Sequence, residues 1–531
     1  MARVTIDNLA LDVPDGLTIL QAAQRAGIAI PTLCHHPDFA PNTSCLVCLV
    51  NVMAPVPAMA GGIAPGRMLP ACATRVSDGM VVESETPAVH EARKTALELL
   101  LSDHVGDCVA PCARTCPTHM EIPGMLAAIA QGDFIRALAI VKHDMVLPVT
   151  LGCVCPAPCE NTCHRAAEGG AIMVCALHRW VGQRDLVTGR PWVPPRAEPT
   201  GRHIAIVGAG PAGLSAAYHL ALLGHEVTVF DDHPHAGGML RYGTSPDALP
   251  RPVLDAEIGV ITALGVHWQL NTALGRDIPL AHLQTRFAAL ILAAGSLAPS
   301  KIENQKSEIR PGFPVSYAGA ILHPGRLAVR SVAEGKRAAF TIHHLLTGSR
   351  PAAELPAFLV SAGKRNREEV HTLMRRGASP IARQDPSLRT DLLPLDAIAQ
   401  AQRCLQCGCA KIESCRLRRY AQEYGARPHR FPGAHRPIVE IHISSRAALS
   451  GGGGAGLTFD AGKCIACGLC LQVAAAQGEP LGLAWRGRGL ALRPSVPFHK
   501  PLAQALTHSA QAVLEICPTG AFTAAPPTAQ P

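Results

Sequence analysis

The alternation of apolar and polar positions divides the chain into segments with different local structure. Near its start, residues 2–6 and 10–13 alternate as two short strands, and the stretch TILQAAQRAG that follows has helical spacing. Residues 84–145 carry apolar side chains at helical intervals, and residues 202–231 run as strand, glycine turn, helix and strand. The pattern predicts a multidomain protein with both α/β and α+β parts.

Stretches rich in proline and glycine separate these segments. RPWVPPRAEP (190–199), RPHRFPGAHRP (427–437) and SGGGGAG (450–456) have the composition of linkers. A chain of 531 residues has room for several domains. The predicted domains are 1–82, 83–190, 200–348, 349–445 and 446–531, of which 349–445 is a linker with a cysteine motif.

Composition and charge exclude several classes of protein. The sequence has no run of 18 apolar residues that would span a membrane, and its N-terminus lacks the charged and apolar regions of a secretory signal. A net charge of +8 is scattered along the chain and aromatic residues make up only 4%, which disfavours a nucleic-acid partner. We therefore expect a cytoplasmic protein.

Cysteine is the most informative residue. There are twenty, at 34, 45, 48, 72, 108, 112, 116, 153, 155, 159, 163, 175, 404, 407, 409, 415, 464, 467, 470 and 517. In a reducing cytosol such short spacings indicate metal binding rather than disulfides. Several zinc sites or several iron–sulfur clusters would both account for the number.

The first cysteine group is Cys34, Cys45, Cys48 and Cys72. Three of these thiolates belong to one loop and the fourth returns from a later strand, an arrangement suited to a [2Fe–2S] cluster, with zinc as the alternative. The stretch TILQAAQRAGIAIPTLCHHP resembles the N-terminal ferredoxin domain of the large iron–sulfur subunit of complex I and of its hydrogenase and formate dehydrogenase relatives. The resemblance implies a β-grasp fold.

The second group resembles two families in succession. LELLLSDHVGDC is still similar to the complex I subunit, but CVAPCARTCPTHMEIP and GCVCPAPCENTCHRAAEGGAIMVCALHRW resemble the helical domain of the glutamate synthase small subunit and dihydropyrimidine dehydrogenase. That domain holds two [4Fe–4S] clusters, whose ligands interleave. The resemblance implies one set of His104, Cys108, Cys112 and Cys163, and another of Cys116, Cys155, Cys159 and Cys175. His178 is the alternative to Cys175, and Cys153 is left as a buried thiol.

The stretch HIAIVGAGPAGLSAAYHLALLGHEVTVFDD contains a dinucleotide-binding glycine loop. Gly208 is suited to the tight turn, Gly210 to close approach of a pyrophosphate, and Gly213 to helix–strand packing. Pro211 and Ala212 begin the helix whose N-terminus faces the phosphates, and Asp231 stands where a ribose hydroxyl would be bound.

The rest of this domain resembles the FAD-binding fold of the glutamate synthase small subunit. AGGMLRYG supplies Gly238, Met239 and Leu240 to the expected FAD loop, and LILAAGS supplies Gly295. Two departures stand out. The closing GGD motif is Gly319-Ala320-Ile321 here, and about twenty residues replace the whole NADPH-binding domain of the family. The resemblance implies bound FAD without an NAD(P) domain.

Two further cysteine motifs follow. Cys404, Cys407, Cys409 and Cys415 are four thiolates within twelve residues, which favours a [4Fe–4S] cluster over zinc. Cys464, Cys467, Cys470 and Cys517 form one complete ligand set of a bacterial-type, two-cluster ferredoxin, in which the fourth cysteine of each run ligates the other cluster. The second set is replaced by Ala474, Thr507, Ala510 and Val513, so this ferredoxin-like domain is expected to hold one cluster.

The expected cofactors are therefore one [2Fe–2S] cluster, three to four [4Fe–4S] clusters and FAD. They predict an electron-transfer subunit of an oxidoreductase that relays electrons between FAD and a partner of the hydrogenase or formate dehydrogenase type, or a ferredoxin. The alternatives are a self-contained NAD(P)H:acceptor oxidoreductase and a redox-inactive assembly scaffold. No catalytic proton-transfer or nucleophile group stands out in the sequence.

Overall fold

The computed structural model describes residues 1–53, 66–295, 309–322, 327–349, 355–375, 377–384, 392–431, 442–444 and 456–524. The predicted linker at 450–456 apart from its last residue, the second half of the one at 427–437, and the tail after 524 lie outside these residues. So does most of the connection between Gly295 and Pro314 that replaces the family's NADPH domain.

Both β-strands and α-helices occur along the described residues. The strands are β1 (Ala2–Ile6), β2 (Leu9–Val13), β3 (Leu49–Met53), β4 (Arg67–Pro70), β5 (Met80–Glu83), β6 (His203–Val207), β7 (Glu226–Phe230), β8 (His267–Gln269), β9 (Ala289–Leu292), β10 (Val315–Tyr317), β11 (His442–Ser444), β12 (Leu457–Phe459), β13 (Ala484–Arg486), β14 (Arg493–Ser495) and β15 (Phe522–Ala524). The helices are α1 (Ile19–Arg25), α2 (Pro87–Ser102), α3 (Pro111–Thr115), α4 (Ile122–Ala130), α5 (Phe134–Asp144), α6 (Pro148–Val154), α7 (Pro158–Asn161), α8 (Val174–Leu186), α9 (Pro211–Leu222), α10 (Met239–Tyr242), α11 (Arg251–Ala263), α12 (Leu280–Arg286), α13 (Ala328–Thr347), α14 (Arg367–Met374), α15 (Pro394–Ala401), α16 (Arg416–Glu423), α17 (Leu469–Ala476), α18 (Leu502–Ala505) and α19 (Ala510–Ile516).

The chain forms two compact units, each built from segments that are distant in sequence. Unit 1 comprises Met1–Val109, Pro356–Gly377 and Cys407–Pro531, and unit 2 comprises Ala110–Leu355 and Ala378–Gln406. The borders between the units therefore fall inside two of the predicted domains, 83–190 and 349–445. The segment predicted as a linker is divided between both units and contains three helices, α14, α15 and α16.

Unit 1 begins with a mixed five-stranded sheet of order β2-β1-β5-β3-β4, in which β1 is antiparallel to β2 and parallel to β5. The two strands predicted near the N-terminus are present, and alternate residues such as Val4 and Ile6 are fully buried. Helix α1 begins with a capping box, because Thr18 and Gln21 exchange hydrogen bonds between side chain and backbone. Its apolar face covers the sheet.

The C-terminal part of unit 1 contains a three-stranded sheet of order β11-β12-β15 and a hairpin of β13 and β14. Helices α17 and α19 pack beside that sheet around a core that includes Leu457, Phe459 and Phe522. A separate buried core joins residues from both ends of the chain, for example Leu33 and Val47 with Ile465 and Leu469. The two ferredoxin-like parts of unit 1 are thus packed together.

Unit 2 consists of a helical part, α3 to α8 with α15, and a Rossmann-like part. The Rossmann-like sheet is fully parallel, with order β10-β9-β6-β7-β8. Helices α9 and α13 lie against each other, and Gly335 of α13 approaches the carbonyl of Ala212 so closely that a Cβ there would collide with it. The helical and Rossmann-like parts share one continuous apolar core.

Within the described residues no single helix has the length and apolar character needed to cross a membrane. Only α5 and α6 taken together, as a pair bent by 76°, meet that criterion.

Candidate metal centres and nucleotide site

The first cysteine group comes together in a buried pocket of unit 1. Cys34, Cys45, Cys48 and Cys72 are all at most 3% exposed, and the loop between the first three contains the left-handed residues Thr43 and Leu46. The thiol of Cys45 contacts that of Cys34 and lowers the pKa of Cys34 to about 6. The pKa of Cys72 is raised by its contact with Cys48 and by the charges of Cys34 and Cys45. Four converging thiols are the ligand set that a [2Fe–2S] cluster requires.

The last cysteine group lines a single cavity in the C-terminal part of unit 1. The cavity is lined by Cys464, Cys467, Cys470 and Cys517, together with Pro518 and Thr519. Cys517 reaches the cavity because it ends α19. The thiols are close enough for their charges to raise the pKa of Cys470 further above its usual range, although burial is the larger cause. The four cysteines that the ferredoxin pattern predicts as one ligand set therefore lie at one site.

Apolar packing occupies the positions of the second ferredoxin set. Ala474, Ala510 and Val513 are at most 3% exposed and belong to the core of this domain. These apolar residues occupy the sequence positions at which a two-cluster ferredoxin has cysteines. The arrangement supports a domain with one cluster.

A third group in unit 1 differs from the sequence-based grouping. Cys108 and Cys409 are joined by a backbone hydrogen bond of 3.2 Å, and Cys108 Sγ accepts one from the Val360 N–H at 3.3 Å. Burial raises the pKa of Cys415 to about 11, and the charges of Cys409 and Cys108 add to this. A Cβ on Gly520 would collide with Cys409 Sγ. Cys108, Cys409 and Cys415 thus form one neighbourhood, in the unit that also contains Cys407.

His104, the predicted histidine ligand, lies in unit 1 as well. Burial lowers its pKa to about 4, and the positive charge of Lys463 acts in the same direction. Its Nδ1 atom is buried and has no hydrogen-bond partner among the described residues. A neutral imidazole with an unpaired, buried nitrogen has the state that metal ligation requires.

In unit 2, four cysteines converge as the resemblance implied. The Cys175 thiol contacts that of Cys155 and lowers the pKa of Cys155 to about 7. The pKa of Cys159 is raised by burial first and then by the charge of Cys116. The chain reverses between Cys155 and Cys159 at Ala157, which has a φ of 52°.

The alternative ligand His178 is occupied differently. Its Nδ1 lies 3.1 Å from the Pro148 carbonyl oxygen, and burial lowers its pKa to about 4. The geometry therefore favours Cys175 over His178 as the fourth ligand. Cys153, predicted as a leftover thiol, is half-buried beside Arg179.

Cys404 departs from the predicted Cys404–Cys415 motif. It belongs to unit 2, where burial raises its pKa to about 12 and the charge of Cys163 contributes. Cys112 lies in the same unit. The residues that precede Cys112 and Cys163 are hydrogen-bonded, since Thr162 Oγ1 donates to the Pro111 carbonyl at 3.3 Å. The four cysteines of the motif are therefore divided between two neighbourhoods, and Cys163 has Cys404 as a neighbour.

The separation has a local cause, because different anchors hold the two ends of the motif. Arg403, fully buried, donates hydrogen bonds to the carbonyls of Gly170 and Ile381 in unit 2. Lys411 donates to carbonyls of Leu514 and Cys517 in unit 1. Between these anchors, Gln406 adopts a left-handed conformation with a φ of 50°. A pattern of cysteine spacings alone could not have shown this.

The glycine loop has the predicted geometry. Gly208 has a φ of 106°, and a Cβ there would collide with the Ala293 carbonyl at the end of β9. A Cβ on Gly213 would collide with the Gly208 carbonyl, so this glycine permits the close approach of α9 to β6. Asp231 follows β7, and its Oδ2 accepts a hydrogen bond of 2.6 Å from the Ala209 N–H.

The other predicted nucleotide residues surround this loop. Pro211 and Ala212 form the first turn of α9, and Gly238 lies against Gly210, where a Cβ would meet the Gly210 Cα. Met239 is 70% exposed at the start of α10, whereas Leu240 is buried. Gly295 follows β9 with a φ of 66°. All of them lie in unit 2.

Two charged residues of α13 were not predicted as parts of the site. Glu334 is buried, and its Oε2 accepts a hydrogen bond of 2.9 Å from the N–H of Gly319, in the turn where the family's closing acid is absent. Lys336 is also buried and pairs with Asp144 at 2.7 Å. Both are buried on opposite sides of α13, so a charged residue within a predominantly apolar helix was the available signal.

Comparisons with known proteins agree with these three parts. Residues 1–87 match the family described as 2Fe-2S iron-sulfur cluster binding domain, and residues 89–189 match dihydropyrimidine dehydrogenase domain II, 4Fe-4S cluster. Residues 206–270 match the NAD(P)-binding Rossmann-like domain. The predicted fold classes of these parts are confirmed.

Three relatives illustrate the similarity over longer stretches. The NADP(+)-dependent formate dehydrogenase subunit beta of Moorella thermoacetica is 35% identical over 51% of this chain and 40% of its own length. The NADPH-Fe(3+) oxidoreductase subunit beta of Geobacter sulfurreducens is 37% identical over 35% of this chain and 28% of its own. The glutamate synthase [NADPH] small chain of Escherichia coli is 32% identical over 39% of this chain and 45% of its own.

The chain spans less than half the length of each of these relatives. The similarity is therefore limited to parts of each protein, and each part of this chain carries the cysteine or glycine pattern described above. The chain combines a [2Fe–2S] domain, a [4Fe–4S] domain of the dihydropyrimidine dehydrogenase type and a Rossmann-like nucleotide-binding domain.

Proposed function

We propose that this chain is an electron-transfer subunit of a multi-subunit oxidoreductase, relaying electrons between FAD and iron–sulfur clusters to a partner redox enzyme. The observation that carries the proposal is the convergence of the thiols. The described cysteines, apart from Cys112, Cys153 and Cys407, lie near other cysteines in buried or half-buried neighbourhoods that are distributed over both units. Such sets suit the conduction of single electrons.

The ligand sets follow the observed neighbourhoods. Cys34, Cys45, Cys48 and Cys72 would hold the [2Fe–2S] cluster, and Cys464, Cys467, Cys470 and Cys517 one [4Fe–4S] cluster. In unit 2, Cys116, Cys155, Cys159 and Cys175 would hold another, while Cys112, Cys163 and Cys404 contribute to a third. Cys108, Cys409 and Cys415 contribute to a fourth in unit 1, with Cys407 and His104 available in the same unit.

FAD is the proposed occupant of the glycine loop. Gly208 and Gly210 leave room for a pyrophosphate, the N-terminus of α9 offers its N–H groups and positive dipole, and Asp231 stands at the end of β7 for a ribose hydroxyl. When bound, a flavin supplies the conversion between two-electron and one-electron chemistry.

A short stretch of α13 connects the nucleotide loop with a cysteine of unit 2. Gly335 packs on the Ala212 carbonyl, at the start of α9. The next residue, Lys336, donates to the Thr118 carbonyl at 3.4 Å, and Thr118 Oγ1 lies 3.2 Å from Cys116 Sγ. This link supports electron exchange between the nucleotide site and the set that contains Cys116.

Cofactor analysis of anaerobically purified protein tests the proposal. We expect one [2Fe–2S] cluster, three to four [4Fe–4S] clusters and one FAD per chain, measured by iron, sulfide and flavin assays with EPR. Iron of only about two atoms per chain together with stoichiometric zinc would contradict it. Identification of the proteins that co-purify with the chain would name the partner, for which a hydrogenase, a formate dehydrogenase or a ferredoxin is proposed.

A self-contained NAD(P)H:acceptor oxidoreductase is the second candidate, because the names of three relatives contain NADP or NADPH. The Rossmann-like sheet argues against it. Strands β9 and β10 are adjacent and parallel, with Leu290 opposite Val315, and only residues 293–314 join them. A second βαβ unit needs about 30 residues.

Stopped-flow mixing with NADH or NADPH separates the two candidates. Flavin-replete protein without its partner should show no rapid bleaching of the flavin band, whereas dithionite should bleach it. The reason is that hydride transfer requires the nicotinamide to be held against the flavin ring. Rapid bleaching by either nucleotide would make the self-contained reductase the better description.

A further inference from the structure

We propose that the loop 34–48 and the motif 464–472 form an internal electron-exchange contact, in which Asn42 and Gln472 act as positioning residues that hold Cys34 and Cys467 together. This inference rests on the proposed function and specifies a route within it. It assigns a role to two amide side chains that belong to neither cysteine set. It also makes the [2Fe–2S] cluster the direct neighbour of the C-terminal cluster.

Two side-chain hydrogen bonds join the loop and the motif. Asn42 Nδ2 donates to the carbonyl oxygen of Cys467 at 2.7 Å, and Gln472 Nε2 donates to the carbonyl oxygen of Ala40 at 2.8 Å. The bonds run in opposite directions, so each segment supplies one donor and one acceptor. Together they hold the relative position of two segments that are already packed against each other.

The contact requires a glycine next to Cys467. Gly468 has a φ of 77° and begins α17, and a Cβ there would collide with the amide of Asn42. The absent side chain lets Asn42 reach the carbonyl of Cys467. This carbonyl belongs to the turn that directs the Cys467 thiol into the cavity of the C-terminal set.

Apolar packing shields the two cysteines beside this contact, although the hydrogen bonds themselves lie at its more exposed edge. Leu33, Cys34 and Cys45 belong to one buried core with Ile465 and Cys467. Cys34 is 1% exposed and Cys467 is 8% exposed.

The step itself is the simplest redox step. With clusters bound, Cys34, Cys45, Cys48 and Cys72 would hold one and Cys464, Cys467, Cys470 and Cys517 the other, and a single electron would pass between them with no bond formed or broken and no proton moved. The protein contributes distance and orientation, since electron transfer slows steeply as the centres separate. The two hydrogen bonds and the buried core keep that separation small.

EPR power saturation of the reduced, fully reconstituted full-length chain tests this arrangement. A fast-relaxing [4Fe–4S] cluster nearby increases the microwave power needed to half-saturate the [2Fe–2S] signal. We expect Asn42→Leu, whose side chain branches at the same atom but carries no donor, to lower that power several-fold with unchanged iron content. Cys517→Ala, which removes the neighbouring cluster, should lower it at least as far.

The matched control is Gln24→Leu, an exposed amide on α1 of the same domain, which should leave the saturation behaviour unchanged. If both signals are present in the wild type but saturate identically in Asn42→Leu and the control, the proposed contact is overturned while the proposed function stands. If the wild type shows neither signal, the proposed function fails, and the inference fails with it. Should Cys517→Ala not fold, the Asn42 comparison decides alone.

Discussion

Arg403 offers the sharpest test of how unit 2 positions its cysteines. It is fully buried and precedes Cys404. Its guanidinium donates to the carbonyls of Gly169, Gly170, Ala171 and Ile381, at 2.5, 2.7, 3.3 and 2.9 Å. Three of these carbonyls lie in the turn between Cys163 and Cys175, so one side chain connects three cysteine-bearing segments.

The cost of Arg403→Met can be worked out from these bonds. In the variant, the Gly169 carbonyl still accepts a hydrogen bond from the N–H of Arg383, and the Ala171 carbonyl still accepts one from the Arg383 guanidinium. The carbonyls of Gly170 and Ile381 lose the bonds described here, at about 1–3 kcal/mol each when no water replaces them. Because both residues are partly exposed, we expect a total loss of about 2–3 kcal/mol in the free energy of unfolding.

The assay combines urea unfolding with iron analysis, and Arg136→Met on the exposed face of α5 is the control. Arg403→Met should unfold at a lower urea concentration and lose up to one cluster, about four iron atoms, while keeping the [2Fe–2S] signal of unit 1. An unfolding midpoint and iron content equal to those of the control would refute the role assigned to Arg403.

Three further predictions concern other parts of the chain. Cys517→Ala should abolish the C-terminal [4Fe–4S] EPR signal as completely as Cys467→Ala; survival of the signal in Cys517→Ala would exclude that ligand. Lys336→Met should lower the free energy of unfolding by about 1–3 kcal/mol, because Asp144 would lose its buried cation and keep only the more exposed His143 and the N–H of Glu121; an unchanged urea midpoint would contradict this. Burial raises the pKa of Glu257 to about 7, above its ordinary 4.5, so the folded state favours its protonated form. The stability that this protonated carboxyl contributes is present below pH 4.5 and is lost as the pH rises through about 7. In urea unfolding, the free energy of unfolding of the wild type, relative to that of Glu257→Gln, should therefore fall by about 3 kcal/mol between pH 4.5 and 8. Parallel pH profiles of the two proteins would contradict this.

Local features were readable from the sequence because the residues that determine them are neighbours along the chain. The alternation in β1 and β2, the capping box of Thr18 and the glycine loop from Gly208 to Gly213 all act within a few residues. The crossed set that ends in Cys517 could also be inferred, because a two-cluster ferredoxin pattern specifies which cysteines share a site.

The neighbourhoods of Cys108 and Cys404 depend on tertiary structure. Close spacing shows that thiolates bind metal, but a short loop with a left-handed residue such as Gln406 can send successive cysteines to different partners. The anchors responsible, Arg403 and Lys411, act on carbonyls more than a hundred residues away. No local pattern contains that information.

The contact between the two ends of the chain is the clearest case. Asn42 and Cys467 are 425 residues apart, and neither residue type predicts the other. The amino-acid sequence alone identifies the candidate cluster and nucleotide residues, since that chemistry depends on side-chain type and short spacing. Which of these sites become neighbours was decided only by folding, because packing of apolar surfaces brings distant segments together and the buried polar groups must then find hydrogen-bond partners.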